Sequence, residues 1–362
     1  MKLGIIGLGG RMNSIINLLA KADPELAIVG LVDSDPDAAL ERVPAKDRES
    51  VKTFESLGEM VTSVRPDALA IGTRCDSHAR LAMESAAFGL PIFLEKPVAT
   101  RMEDAVALER AFQVHPTPVL VSFPLRASLV CTQAKRLIGV NATGRVEHVL
   151  AVNYVPYGDV YFSRWYRDYG VTQGLFLQKS THDFDYLADL VGAPIVRVAA
   201  MVSCGRAHQD ISRRPEPADP DVLYFEAIGS PETGMNEDSS SVLLEFANGV
   251  KGVYTQVFFS KRGAKRGAVL SGVRGTVEFD FYTAQIRSTM HREPVDATVT
   301  IEGKGAHFGG DERLVENFVH MVRDGTPSMA PLNAGLQSVY ACLAAKESGA
   351  TGRFVDVRTL GQ

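Results

Sequence analysis

Paired cysteines are missing from this chain. The four that occur among its 362 residues, Cys75, Cys131, Cys204 and Cys342, lie far apart and form no CxxC pair. That argues against a disulfide framework and against a cysteine zinc site, and no other metal-ligand set emerges. Long apolar runs are missing too, so no transmembrane span is expected. The opening MKLGIIGLGG is cut by glycines too early for a signal peptide, and a reducing cytoplasm is the simplest expected compartment. Nor is there an excess of one charge: a formal net charge of −5 gives no broad attraction to nucleic acid or anionic membrane. The one basic stretch, KRGAKR at 261–266, reads as a solvated loop. Internal repeats and low-complexity blocks are absent.

What is present is ordinary in bulk and informative in order. Hydrophobic content of 45% and charged content of 22% suit a soluble globular protein. The length exceeds what one hydrophobic core usually serves, so two domains are expected. In the first third, short apolar runs at Leu3–Ile6, Ala27–Val32, Ala68–Ile71, Ile92–Leu94 and Val119–Ser122 alternate with amphipathic stretches such as Met12–Lys21 and His78–Phe88. That is the pattern of a parallel sheet covered by helices. After about residue 125 the texture changes. SVLLEFANGVKGVYTQVFF (241–259) reads as two strands joined at Asn248-Gly249, an antiparallel hairpin signal. The expected fold is α/β over residues 1–124, a doubly wound parallel sheet, followed by an α+β domain over 125–362 with a large open, mainly antiparallel sheet. Two closing helices within 312–349 are candidates to pack back on the first domain. Residues 206–240, rich in Pro, Asp, Glu and Ser, read as a surface excursion, with a lid and an oligomer contact both open.

The first strand runs directly into Gly7-Leu8-Gly9-Gly10-Arg11-Met12. Glycines at the GxG spacing let the backbone turn tightly and approach a pyrophosphate, and the following helix offers its N-terminal NH groups to the phosphates. Met12 stands where the fingerprint has its third glycine, which implies looser helix–strand packing. The second strand ends in Asp33, suited to receive the adenosine ribose hydroxyls. With Asp35 nearby and no arginine in VDSDPD, a 2′-phosphate should be repelled, so NAD is favoured over NADP. The first domain is therefore expected to be a Rossmann domain.

Ligands in such a sheet sit outside the carboxyl ends of the strands, and three of those ends are chemically loaded. Strand three ends in Gly72-Thr73-Arg74-Cys75-Asp76-Ser77-His78, strand four in Glu95-Lys96-Pro97, strand five in Phe123-Pro124-Leu125-Arg126. Pro97 biases Lys96 to extended geometry, and Thr100 to Glu103 reads as a capping box for the next helix. Arg126 is either a substrate anchor or a domain-junction ion pair. Downstream, THDFDYLADLVG (181–192) has the apolar spacing of a helix. Lys179, His182, Asp183 and Tyr186 share one face of it, and Gln178, His182 and Asp185 a neighbouring stripe. GAHFGGDERLVENF (305–318) reads as a helix entry with Asp311 near its cap.

The N-terminal GxG, TRCDSHARLAMESAAFGLPIFLEKP and GLFLQKSTHDFDYLADLVGAP together resemble the glucose–fructose oxidoreductase/inositol dehydrogenase/rhizopine-catabolism family (Gfo/Idh/MocA) of nicotinamide-dependent dehydrogenases. The resemblance spans nearly the whole chain. It implies that Glu95 and Lys96 lie beside the nicotinamide, with Lys96 also contacting the substrate hydroxyl or carbonyl. It implies that His182 is the catalytic histidine and that Thr73, Arg74 and His78 line the cofactor. Trp165 and Arg167, in SRWYRDYG, match a loop that approaches cofactor or substrate. Two positions depart from the family: Gln178 replaces an aspartate, and Thr73-Arg74 replaces Thr-Pro. Gln178 can hydrogen-bond a substrate but cannot take a proton, so acid–base duty falls on Lys96 and His182, with Lys179 as a further candidate.

The expected activity is hydride transfer between the nicotinamide and a secondary alcohol or ketone of a sugar, sugar derivative or cyclitol. A redox-neutral, glycoside-cleaving enzyme with tightly held NAD and a non-catalytic cofactor-responsive regulator are the alternatives. The partner expected is a small polyhydroxylated substrate, with neither nucleic acid nor membrane. The family implies a homodimer or homotetramer through the C-terminal sheet.

Overall fold

The computed structural model describes residues 1–226, 235–302 and 306–362. The first 128 residues alternate strand and helix. In order they are β1 (Lys2–Ile6), α1 (Gly10–Ala22), β2 (Ala27–Val32), α2 (Pro36–Leu40), β3 (Lys52–Thr53), α3 (Leu57–Val64), β4 (Ala68–Ile71), α4 (His78–Ala86), β5 (Ile92–Leu94), α5 (Met102–Val114), β6 (Val119–Val121) and α6 (Pro124–Ala127). The strands pair in the order β3-β2-β1-β4-β5-β6, all parallel. That order reverses direction at β1, which places the carboxyl ends of β1 and β4 at the topological switch point. The four residues of β4 and the three each of β5 and β6 are buried throughout, because helices cover both faces of the sheet.

Residues 129–302 carry α7 (Leu129–Gly139), β7 (Val146–Tyr154), α8 (Tyr169–Thr172), α9 (Thr181–Val191), β8 (Ile195–Cys204), β9 (His208–Asp210), β10 (Leu223–Phe225), β11 (Glu237–Phe246), β12 (Lys251–Val257), β13 (Lys265–Gly272), β14 (Gly275–Asp280), β15 (Gln285–Met290) and β16 (Asp296–Thr300). The chain closes with α10 (Gly310–Asp324), α11 (Leu332–Thr351) and β17 (Val355–Asp356). Among the described residues, nine strands form one sheet in the order β16-β15-β14-β13-β7-β12-β11-β8-β17. Only the β7–β12 pair in it is parallel. Period-two alternation sets its faces. Val149, Ala151 and Asn153 on β7 and Tyr254 and Gln256 on β12 are buried, while Leu150 between them is exposed.

By compactness the chain separates into two units: Met1–Ser128 with Gly305–Val339, and Leu129–Lys304 with Tyr340–Gln362. α10 thus belongs with the parallel sheet, where it packs on α1 and α6.

Three local expectations are corrected. Thr100 does not cap α5: Arg101 holds that position without a side-chain cap bond, and Thr100 is buried. KRGAKR is not all solvated loop, since Lys265 and Arg266 open β13 and Arg266 is buried. The 206–240 excursion ends sooner than its composition implies. Asn236, Glu237 and Asp238 are buried, and the Asp238 carboxylate accepts the backbone NH groups of Arg206, Ala207 and His208. Residues 227–234 of that stretch lie outside the described residues, as does residue 305 of the 305–318 stretch.

Candidate functional site

On the first unit, the turn between β1 and α1 has the shape a dinucleotide requires. Gly7 has φ +82°, and a Cβ there would lie 2.7 Å from the backbone N of Thr73, so both the conformation and the space demand glycine. Gly9 is different. Its φ of −76° suits any residue, and a Cβ on Gly9 or Gly10 would meet nothing within 4 Å. Protein packing therefore does not explain these glycines, and the open space leaves room for a ligand. Gly9 caps α1 without a side-chain bond, so the helix presents its first-turn NH groups uncovered. The Asp33 carboxylate accepts the NH of Leu8 at 2.7 Å through one oxygen and that of Asp35 at 3.0 Å through the other. Each oxygen keeps a lone pair for a ribose hydroxyl. These residues fit a nicotinamide dinucleotide.

Met12 does not loosen the packing. It is buried, and its Cβ and Cε lie 2.8 and 2.7 Å from where a Cβ on Gly72 would stand. The close approach that a third glycine would give α1 is supplied from the opposite side, by Gly72 at the end of β4.

Arg11 does not face outward to a phosphate. Its Nη1 and Nη2 donate to the two oxygens of Asp311 at 3.0 and 2.6 Å, its Nε donates to Glu95 at 3.1 Å, and Nη2 also reaches Ser122. Burial works against its charge, but Glu95 and Asp311 outweigh that and raise its pKa, so the guanidinium stays protonated. Asp311 is not the cap of α10, a place held by Gly309; it sits in the first turn and also pairs with His307 Nδ1 at 2.8 Å. Burial would push its pKa up, yet the bonds from His307 and Arg11 hold it down at about 2. The consequence for the site is that Glu95 is fixed at the end of β5, and it accepts the NH of Lys96 at 3.3 Å.

Lys96 is half-buried between Glu95 and a cis Lys96–Pro97 bond. His78, expected to line the cofactor, is instead a strut. It is buried, with Nδ1 2.8 Å from the Pro97 carbonyl and Nε2 3.2 Å from that of Thr73. Burial lowers its pKa and favours the neutral ring, whose single N–H donates to one of the two carbonyls. The ring lies between the Lys96-Pro97 turn and the Thr73 turn. Thr73 bonds the Ser77 hydroxyl at 2.6 Å, and Arg74 is exposed at the start of a short 3-10 turn. Arg126 donates to the Met329 carbonyl at 3.1 Å, a bond within this unit. Arg42, beyond VDSDPD in the chain, donates to the carbonyls of Ala38 and Leu8.

The second unit carries Trp165, Gln178, Lys179 and His182. A π turn, Phe176–Ser180, precedes α9 and continues into it, which the helical spacing of 181–192 did not reveal. Ser180 and Asp183 face the inner side of the large sheet. Ser180 donates to Gln256, and Asp183 accepts from Asn153 and Tyr254 at 2.8 Å each and from Arg266 at 2.9 Å. Asp183 is thus the buried counter-ion that seats α9 on β7, β12 and β13, and Arg266 is its partner. His182 and Asp185 are buried at 8% and 2% exposure. The Gln178 amide donates to the Thr172 carbonyl at 3.2 Å. Trp165 stacks on Tyr166 in the 164–167 turn, and Arg167 donates to the Glu226 carbonyl.

Lys179 is buried. Only 7% exposed, it donates to the Tyr157 hydroxyl at 3.0 Å and lies over the rings of Tyr157 and Tyr161 at 4.9 and 5.3 Å. Tyr157, Tyr161, Arg266 and Arg42 were missed in the sequence, and Asp311 read only as a helix entry, because each meets its partner through the fold.

Comparison with known proteins agrees with this geometry. Residues 1–123 match the model of an oxidoreductase family with an NAD-binding Rossmann fold, and residues 131–278 match the GFO/IDH/MocA C-terminal domain. The chain belongs to the GFO/IDH/MocA family. Relatives of this GFO/IDH/MocA protein include YteT of Bacillus subtilis, 28% identical over 186 residues, a match that spans 49% of this chain and only 44% of YteT. The inositol 2-dehydrogenase of Rhizobium meliloti is 25% identical over 279 residues, 76% of this chain and 74% of that enzyme. Among solved structures, levoglucosan dehydrogenase in complex with NADH and L-sorbose superposes over the full length of both chains with a TM-score of 0.85 at 18% identity. That likeness shows the fold. The GFO/IDH/MocA chain is thus an NAD-binding oxidoreductase-family protein with a Rossmann sheet and a mostly antiparallel second sheet, and among its described residues no helix is long and apolar enough to cross a membrane.

Proposed function

We propose that this protein transfers a hydride between NAD and a secondary alcohol or ketone of a sugar, sugar derivative or cyclitol. The observation that carries the reading is Lys96, held at a strand end of a dinucleotide fold by Glu95 on one side and by His78, through Pro97, on the other. The bound nicotinamide supplies the hydride acceptor or donor. Lys96 and His182 are the two groups assigned to the hydroxyl proton. NAD is preferred to NADP because Asp33 would repel a 2′-phosphate; Arg42, which folds over the same turn, is the residue that would oppose this preference. We also propose a homo-oligomer through the outer face of the large sheet, where Leu150, Met201 and Leu243 are exposed.

The deciding experiment screens the protein with NAD and NADP against sugars, inositols and keto-sugars, following NADH and product together. Lys96→Ala should lower turnover with a responsive substrate roughly a hundredfold while cofactor binding persists. Unchanged turnover would sink the assignment, and cleavage of a glycoside without net NADH would replace it with redox-neutral chemistry.

A further inference from the structure

Leu8, between Gly7 and Gly9, is gripped from two sides within the first unit. Its NH donates to the Asp33 carboxylate at 2.7 Å, and its carbonyl accepts from Arg42 Nη1 at 3.4 Å. A carboxylate and a guanidinium therefore flank the central peptide of the glycine turn. Along the chain, both aspartates of VDSDPD count against a 2′-phosphate. The fold separates them. Asp35 caps α2, where its Oδ1 accepts the Ala38 NH at 3.2 Å, so its charge faces a helix start. Asp33 alone holds the turn. Arg42 makes its second bond from the same Nη1, to the Ala38 carbonyl at 2.9 Å. Nη1 is the nitrogen on the Cδ side of the guanidinium. The opposite edge, where the Nε and Nη2 N–H groups run parallel, bonds nothing among the described residues, and the side chain is exposed. That is the edge with which an arginine takes a phosphate bidentately. Arg48, on the same loop, bonds the carbonyls of Glu41 and Val43 instead.

We infer that Arg42 is a specificity-determining residue of the adenosine end: its Nε–Nη2 edge receives a 2′-phosphate, while Asp33 receives the unsubstituted ribose. The preference between the two dinucleotides is then a contest between two side chains of opposite charge on one peptide, and NADP is a second ligand of the site. The inference rests on the cofactor assignment in the reading above and on no part of its reaction. The anchoring of Arg42 supports it. Both its bonds go to carbonyls, so no carboxylate neutralises the guanidinium at contact, and they fix its head beside the turn and leave the paired donors to an incoming anion. Asp33 is fixed as firmly, with one oxygen on the Leu8 NH and the other on the Asp35 NH. It stays at the ribose whichever dinucleotide arrives, so only a positive group close by can offset its repulsion of the 2′-phosphate.

Binding without turnover tests this. NADH and NADPH are titrated by their fluorescence, and ADP-ribose and its 2′-phosphorylated form by displacement of NADH, which separates the 2′-phosphate from the nicotinamide. Arg42→Ala should weaken both 2′-phosphorylated ligands about tenfold or more and the other two less than about threefold. Arg42→Lys, which keeps the charge and loses the paired donors, should fall between. Arg48→Ala, the same loss of charge from the same loop, should leave the ratio as it is. Asp33→Ser should shift binding toward NADPH, and adding Arg42→Ala should remove that gain; this second background decides the matter where the wild type binds NADPH too weakly to titrate. The inference is overturned if Arg42→Ala weakens all four ligands by one factor, which would make Arg42 a mere support for the Leu8 carbonyl. It is overturned equally if NADPH is unaffected in both backgrounds, or if Arg48→Ala matches Arg42→Ala. A protein that binds in the expected pattern but turns over no hydroxylated compound refutes the hydride-transfer reading alone. Failure to bind any of the four ligands refutes the cofactor assignment, and this inference with it.

Discussion

Replacing Asp311 by asparagine probes the contact that fixes the cofactor-side strand ends. Asp311 is 1% exposed and accepts from both terminal nitrogens of Arg11 and from His307. Its pKa is held at about 2 against an ordinary value of 3.8. At roughly 1.4 kcal/mol per pKa unit, that difference makes the ionised carboxylate worth about 2 kcal/mol to the folded unit at neutral pH. The folded value lies below the unfolded one, so this stability is present above the unfolded pKa and is lost as the pH falls through about 2. Asp311→Asn abolishes the titration and leaves Arg11 paired with Glu95 alone. Amide exchange read by mass spectrometry on peptides from α1 and α10, corrected for intrinsic rates, measures the local effect. At neutral pH those peptides should exchange about thirtyfold faster in the variant, the equivalent of about 2 kcal/mol. The gap should close as the pH is lowered from about 4 toward 2. A gap of equal size at both ends of that range would refute the linkage and reduce Asp311 to a packing role.

Three other perturbations have expected outcomes. Gly9→Val should fold normally, since the backbone angle is permissive and the Cβ meets nothing, but NADH affinity by fluorescence titration should drop at least about tenfold. Gly72→Ala should destabilise the protein by about 1–3 kcal/mol in chemical denaturation, through its clash with Met12, and adding Met12→Ala should recover part of the loss. Asp183→Asn leaves the buried Arg266 guanidinium without its counter-charge and should lower stability by about 3–5 kcal/mol, visible as an earlier thermal transition in Trp165 fluorescence, whose reporter lies in the same unit.

The fold was largely legible because its signals are local. The apolar runs at residues 27–32, 68–71 and 92–94 became strands with those bounds, since a strand covered on both faces has to be apolar end to end. The Asn248-Gly249 hairpin was legible for the same reason: its turn chemistry is contained in the turn. The candidate site was legible where a residue type stands out by itself, as at Gly9, Asp33 and Lys96. Met12 shows the limit. Read along the chain, it breaks the fingerprint; read across the fold, Gly72 accommodates it, a compensation between α1 and β4 that no spacing rule contains.

Residues whose task is to hold another residue are the ones the sequence concealed, and they change what the visible ones can do. The family resemblance implies a cofactor contact for His78, yet its two ring nitrogens lie against backbone carbonyls. Arg11 stands in the glycine-rich turn, where a cofactor contact is expected, and is committed to Asp311 and Glu95. Neither loss weakens the candidate chemistry. A lysine on a flexible turn would have its backbone to order on each encounter, whereas one flanked by a pinned glutamate and a turn strutted by a histidine has its backbone already placed. On the second unit the logic repeats. Asp183 and Arg266 seat the helix start, the π turn swings Lys179 off the sheet-facing stripe, and the ammonium arrives under Tyr157. The departure that first marked this chain, Gln178 in place of an acid, belongs to the same setting. An aspartate here would offer an anionic acceptor next to Lys179 in the chain, and a glutamine bonded to Thr172 offers none.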